Sequence, residues 1–282
     1  MTDFKESLGK IIIRERIFEE ARNLHSDGMF SYLGLPGPKC SDLLKWKDNI
    51  KSAYCCEIDK NDFESMKRTA VRILGIRAKC INKNIWEYMK GDIHSFIDLC
   101  NFDFCGGPSS SRIPEISELQ SLSKFISEQR KKENSPFLIA WTFGVRNINY
   151  DFYKDSTINY IKEIYHKSSF NFLKFERWLS QNNRKMIRSY LYFVPCMTFD
   201  YAKSNRYSTE LIEAKVYKKI MYFCLLKLNP SERQISIEQK HAFFNKVIER
   251  PYLLYDENNK LEDIEQLPIN EFLATNKSEK KF

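Results

Sequence analysis

The chain has 282 residues, of which 43% are hydrophobic, 29% charged and 14% aromatic. That is enough apolar material for one large α/β domain, or one with a small appendage, and it excludes a disordered chain. The formal net charge of +8 favours phosphate-bearing or other acidic partners, RNA or DNA among them.

No run reaches the roughly 18 apolar residues of a membrane span. The opening MTDFKESLGK carries acids and lacks an apolar signal core, so a cytoplasmic location is the expectation. The 8 cysteines include no C-x-x-C pair and no histidine at zinc spacing. They read as reduced core residues rather than disulfides or metal ligands.

Residues 5–27 read as a helix. Ile12, Ile13, Ile17, Ala21 and Leu24 form its apolar side, placed to cover the core or the mouth of a site, and Gly28 follows as a stop. Residues 30–35 then form a short apolar strand that runs into LGLPGPKC. Gly34 and Gly37 sit where that strand stops and let backbone approach a ligand, whereas Pro36 and Pro38 have no N–H to offer. Ser41-Asp42 reads as the cap of a helix through Trp46.

A second strand, 52–58, ends in Glu57. It lies roughly twenty residues past the glycine turn, the spacing at which an acid accepts from a ribose hydroxyl. A helix over 62–74, a strand over 76–81 and a helix over 85–89 follow. Asn82 and Asn84 stand past the third strand, where each reads either as a ligand contact for an adenine edge or as a helix cap.

The fourth strand, 94–104, carries Asp98, Asn101 and Asp103 in a run that a buried parallel strand would keep apolar. Asp103 and Phe104, followed by Cys105, Gly106 and Gly107, fall at its carboxyl end, where open parallel sheets hold ligands. The alternative for Asp103 is an Asx-type turn. A helix over 113–132 and a strand over 136–143 complete five alternating strands, the pattern of a parallel sheet covered on both faces. Arg146 lies just beyond, as an anion contact or a surface ion pair.

Residues 151–183 are helical, with interleaved Lys, Tyr and Phe. This suits either a stacking nucleic-acid surface or an ordinary amphipathic helix. Residues 189–198, SYLYFVPCMT, read as a strand with Pro195 at an edge or bulge, and 200–213 as a polar loop. Residues 218–228 are a further strand, paired with 189–198 as an antiparallel hairpin at the sheet edge. A last helix spans 231–250 and a loosely held tail starts at Asp256. The expected organisation is an N-terminal helix (1–28), a Rossmann-like domain (29–228) and a C-terminal helix with tail (229–282).

The strand-turn YLGLPGP, Glu57 after strand two, Asn82 after strand three, DFCGG after strand four and the late hairpin together resemble a class I S-adenosylmethionine-dependent methyltransferase. Within that class FDFCGG, followed by a strand ending WTFGVR, is similar to tRNA guanine dimethyltransferases, with Asp103, Gly106 and Thr142 as counterparts. The chain departs from the class in lacking a G-x-G-x-G loop and a Pro-Pro-aromatic sequence after strand four.

The resemblance implies S-adenosylmethionine as cofactor, with Gly34, Leu35 and Gly37 along its methionine part. Glu57 would take the ribose, Asn82 the adenine, and Asp103 would border the same pocket. It also implies Asp103 as acceptor of a base amino group and Phe104 as a stacking surface, so that an amino group on a nucleic-acid base is methylated. Cys105 as a covalent nucleophile lacks the partner Glu motif such chemistry uses. The competing expectation is a catalytically inactive Rossmann-like module that binds a nucleotide or a protein.

Overall fold

The structure is a computed structural model. It describes residues 8–91, 93, 95–104, 116–144, 150–164, 171–180, 185–217, 221–249, 252–255 and 261–264. Cys105, Gly106, Gly107 and Arg146 lie outside them. In chain order the elements are α1 (Leu8–Arg22), β1 (Phe30–Gly34), α2 (Ser41–Trp46), β2 (Ile50–Cys56), α3 (Lys60–Leu74), β3 (Ala78–Ile81), α4 (Ile85–Lys90), β4 (Leu99–Phe104) and α5 (Ile116–Lys132). There follow β5 (Phe137–Gly144), α6 (Tyr150–Ile164), α7 (Phe172–Ser180), α8 (Lys185–Ser204), β6 (Tyr207–Tyr217), β7 (Met221–Pro230), α9 (Ile237–Glu249), β8 (Tyr252–Tyr255) and β9 (Leu261–Ile264).

The strands form one 9-stranded sheet in the order β3-β2-β1-β4-β5-β7-β6-β8-β9. Its first five strands are parallel, β7 runs antiparallel to both β5 and β6, and β8 returns parallel to β6. This is a doubly wound α/β, Rossmann-like sheet with a late antiparallel hairpin, as expected. Chain order reverses direction between β1 and β4, and the crevice at such a switch point opens at the carboxyl ends of the strands.

Both faces of the sheet are apolar because both are covered. On one face Ile13, Ile17 and Ala21 of α1, Leu43 and Trp46 of α2, and Met66 and Ala70 of α3 pack on Phe30, Tyr32, Ala53 and Leu138. On the other, Trp86, Phe125, Ile161, Val194, Met197 and Phe244 pack on Leu33, Cys100, Phe102, Ile139 and Trp141. Each large side chain buried in this way is worth about 1.5–3 kcal/mol before ordering costs.

The hairpin is built differently from the expectation. Residues 189–198 lie inside α8, with Pro195 within the helix. The run is apolar without a clear period because α8 touches the sheet as well as α5, α6, α7 and α9, and a helix surrounded in this way loses its polar stripe. Residues 200–213, expected as loop, supply the end of α8 and the first half of β6. In β6 a register shift between Leu211 and Glu213 breaks the alternation that would have marked a strand. Within the segment expected as tail, residues 261–264 form β9.

One local expectation also changes. Ser41-Asp42 does not cap α2: the cap position is Cys40, in a left-handed conformation (φ 47°) with no side-chain cap bond. Asp59 caps α3, accepting from the N–H groups of Asn61 and Asp62, both at 2.9 Å.

Candidate functional site

The parallel pairing brings the candidate residues to one edge. Gly34 lies beside Cys55 and Asn101, Cys56 beside Ile81, and Asp103 beside Thr142. Read across the carboxyl edge, the order is Asn82, Glu57, Gly34, Asp103 with Phe104, then Thr142. Among the described residues expected to contribute, Gly34 and Asp103 therefore flank the switch point, with Glu57 and Thr142 one strand further out and Asn82 two strands out on the β3 side.

Gly34 is required by packing. A Cβ there would stand 2.5 Å from the carbonyl oxygen of Asn101 and would collide with the hydroxyl of Tyr32. Tyr32 leans over this position, fully buried, and its hydroxyl has no hydrogen-bond partner among the described residues. Burial holds its pKa well above 10.0, so the hydroxyl stays neutral. Leu35 is half-buried, and its N–H donates to the Asn101 carbonyl at 3.3 Å, continuing the strand pairing. Gly37 differs: its φ of 63° suits glycine, and nothing would touch a Cβ there within 4 Å. The turn thus presents open space at Gly37 and a filled position at Gly34.

Glu57 is half-buried just past β2. Its Oε1 accepts from the N–H groups of Ile58 at 2.7 Å and Asp59 at 2.9 Å. The second oxygen, Oε2, carries no partner among the described residues, which leaves an oriented acceptor at the mouth. Ile58 beside it is 67% exposed, an apolar surface that the sequence reading passed over. Asn82 does not reach out of the edge. Its amide donates to the carbonyls of Glu57 at 2.8 Å and Ile58 at 3.3 Å, and so staples the loop that aims Glu57. Asn84 is the helix cap, accepting from the N–H of Trp86 at 2.9 Å.

On the other side of the crevice Asp103 is half-buried, and its Oδ2 accepts from Lys10 Nζ at 2.7 Å. Its Oδ1 has no partner among the described residues. Burial works against the charge on Lys10, but the ion pair with Asp103 outweighs it and the pKa is raised. Phe104 is half-buried, stacked on Trp86 with centroids 5.6 Å apart and planes at 11°, with Trp141 at 6.3 Å. It forms an aromatic wall with a partner already in place.

Behind Asp103 lies a buried charge network that the sequence did not disclose. Arg14 bonds Asp42, and the second Asp42 oxygen accepts from Asn101 Nδ2 at 2.9 Å. Arg14 and Asp42 are only 6% and 7% exposed. Burial raises the Asp42 pKa even though Arg14 pulls it down. Lys10, Arg14, Asp42, Asn101, Asp103 and Thr142 share one small cleft beneath α1. The available signal was Arg14 itself, three residues before Ile17 and one after Ile13, on the apolar stripe of its helix. α1 therefore covers both core and site.

The seven described cysteines are free, and of these Cys80 alone is not fully buried. No group of described His, Cys, Asp or Glu residues is arranged to hold a metal ion. No described helix is long and apolar enough to cross a membrane.

The sheet order, antiparallel β7 and acidic end of β2 now stand together. The architecture is a doubly wound, Rossmann-like α/β sheet closed by an antiparallel hairpin. No protein-family model matches the chain and no curated protein does. Among solved structures it is similar to Trm1 from Pyrococcus horikoshii, solved with S-adenosyl-L-methionine, at 10% identity and a TM-score of 0.47. That match covers 94% of this chain and 66% of the other, so the chain spans just under two thirds of that protein's length. It is also similar to the putative methyltransferase yhhF from Escherichia coli, at 12% identity and a TM-score of 0.44, covering 80% of this chain and 88% of the other. A third is an rRNA methylase from Streptococcus thermophilus, at 12% identity and a TM-score of 0.42, covering 78% and 97%.

Proposed function

We propose that the chain is an S-adenosylmethionine-dependent methyltransferase whose acceptor is an amino group on a nucleic-acid base. The observation that carries the cofactor is the β2 end, where the uncommitted Glu57 Oε2 stands beside the exposed Ile58. An acceptor for ribose hydroxyls next to an apolar platform matches the two faces of an adenosine. Gly37, open on its Cβ side, gives the methionine part room along the turn. When bound, the cofactor supplies a methyl group on a positively charged sulfur that departs as a neutral thioether.

The protein's own work is then mostly positioning. Asn82 fixes the loop bearing Glu57. Asp103, with Oδ2 held by Lys10, offers Oδ1 to an N–H of the acceptor and directs the nitrogen lone pair into the crevice. Phe104, backed by Trp86, walls the acceptor side. The net charge of +8 and the partly exposed Lys10 ammonium favour an acceptor that carries phosphates.

A second reading is a binding module without turnover. It is favoured by Lys10, whose ammonium already holds one oxygen of Asp103, and by Pro36 and Pro38 in the turn. Titration calorimetry with S-adenosylmethionine, followed by methyl transfer to bulk RNA and DNA, separates the two. Binding with transfer that Asp103→Asn abolishes supports the enzyme. Binding without transfer supports the module, and absence of binding removes both cofactor-based readings.

A further inference from the structure

The opposite edge of the same five strands carries a second, larger cavity, of about 680 Å³. It lies at the amino ends of the strands, away from the crevice, and so has no part in the site already described. Its described lining sorts by charge along the strand order β3-β2-β1-β4-β5. Lys79 of β3 and Lys51 of β2 line one end. Asp27, just before β1, and Glu133, between α5 and β5, line the other. Ser52 and Ser95 add hydroxyls to the wall.

The hydrogen bonding leaves both ends available. Lys51 has no partner among the described residues. Lys79 donates to the Tyr54 hydroxyl at 2.8 Å and lies over its ring at 4.6 Å, with no carboxylate partner among the described residues. The Tyr54 hydroxyl donates in turn to Ser95 Oγ at 2.8 Å, so the Ser95 proton is free for a ligand. Asp27 and Glu133 each use one oxygen locally, for the N–H of Met29 at 3.0 Å and the hydroxyl of Ser135 at 2.6 Å. Asp98 is sealed: it is 5% exposed, with one oxygen on His25 Nε2 at 2.7 Å and the other on the Ser31 N–H at 2.6 Å. That buried carboxylate fixes the His25 ring against the cavity wall.

A cavity with ammonium groups at one end and carboxylates at the other fits neither a simple anion nor a simple cation. We propose that it binds a small zwitterion, of the amino-acid or short-peptide class. The ligand's carboxylate would meet Lys51, Lys79 and Ser95, and its ammonium would meet Asp27, one strand from Lys51 and two from Lys79. Neighbouring strands are about 4.8 Å apart. The ligand's charges are accordingly separated by one to two strand spacings, which favours an extended zwitterion.

Three probes of matched length test this on the full chain: 6-aminohexanoate, hexanoate and hexylamine, titrated by calorimetry. The expected result is 6-aminohexanoate binding about tenfold tighter than either single-ended probe, equal to about 1.4 kcal/mol. Lys51→Ala weakens 6-aminohexanoate and hexanoate but not hexylamine, and Asp27→Asn weakens 6-aminohexanoate and hexylamine but not hexanoate. Glu57→Ala, at the far edge, changes none of them, and the exposed Lys162→Ala serves as a surface-charge control. Equal affinities for the three probes, no binding of 6-aminohexanoate, or an equal loss with Lys162→Ala would overturn the proposal.

Discussion

Replacing Arg14 by Met removes one partner of the most deeply buried ion pair described, while keeping a long apolar stem on the stripe of α1. The side chains of Arg14 and Asp42 are 7% and 10% exposed. Without the guanidinium, Asp42 retains Asn101 Nδ2 as its remaining side-chain donor among the described residues. Breaking such a pair from one side leaves an uncompensated buried charge and costs about 3–5 kcal/mol. Against a domain stability of about 5–15 kcal/mol this is a large fraction.

Urea unfolding should show the midpoint falling with little change in slope. The double variant Arg14→Met with Asp42→Leu should recover most of the loss, since it leaves no charge behind. The pH dependence has a definite sign. Burial raises the folded-state pKa of Asp42 above its ordinary value. Its contribution to stability is therefore full below the unfolded carboxylate value and is lost as pH rises through the folded value. The stability of the natural chain relative to Asp42→Asn should accordingly fall across that acid window. A single Arg14→Met cost below about 1 kcal/mol, the level of an exposed pair, would refute the reasoning.

Two further outcomes follow from local geometry. Gly34→Ala drives a Cβ against the Asn101 backbone and the Tyr32 hydroxyl and should cost about 3 kcal/mol, the upper end for overpacking. Gly37→Ala meets only its positive φ and should cost about 1 kcal/mol, so equal losses in urea melts would contradict the turn geometry. Cys80 has its pKa lowered to about 7 by a hydrogen bond from Cys55, against the effect of burial and with help from Lys67. Among the described cysteines it should be alkylated first by iodoacetamide, with a rate midpoint near pH 7, whereas Cys40 and Cys56, both raised to about 12 by burial, stay slow. Peptide mapping that finds Cys40 or Cys56 labelled ahead of Cys80 would sink this.

Much of the fold was legible because its first half obeys local rules. Alternating short apolar strands and helices, each with a turn residue between, place β1 to β5 within a few residues. The hairpin was not legible for the opposite reason. Helix α8 is packed on several sides, so SYLYFVPCM shows strand-like composition without a helical period, and its Pro195 points the same wrong way. Polar residues and a register shift hid β6, whose buried Lys215 is held by Glu213 at 2.6 Å.

At the site, residue types that act by ending a strand were readable: Glu57 and Asp103 lie where spacing put them. Roles that depend on contacts across the fold were not. Asn82 staples a loop, Gly34 makes room for Tyr32, and Asp103 is met by Lys10 from more than ninety residues away in the chain.

The cofactor claim rests on Glu57, and binding tests it without need of a known acceptor. Titration of the natural chain with S-adenosylmethionine should give saturable binding, and Glu57→Ala should weaken it about tenfold or more, the value of a hydrogen bond to a charged group at about 1.5–3 kcal/mol. Titrations that show no binding to the natural chain, or equal binding to both, would contradict the account.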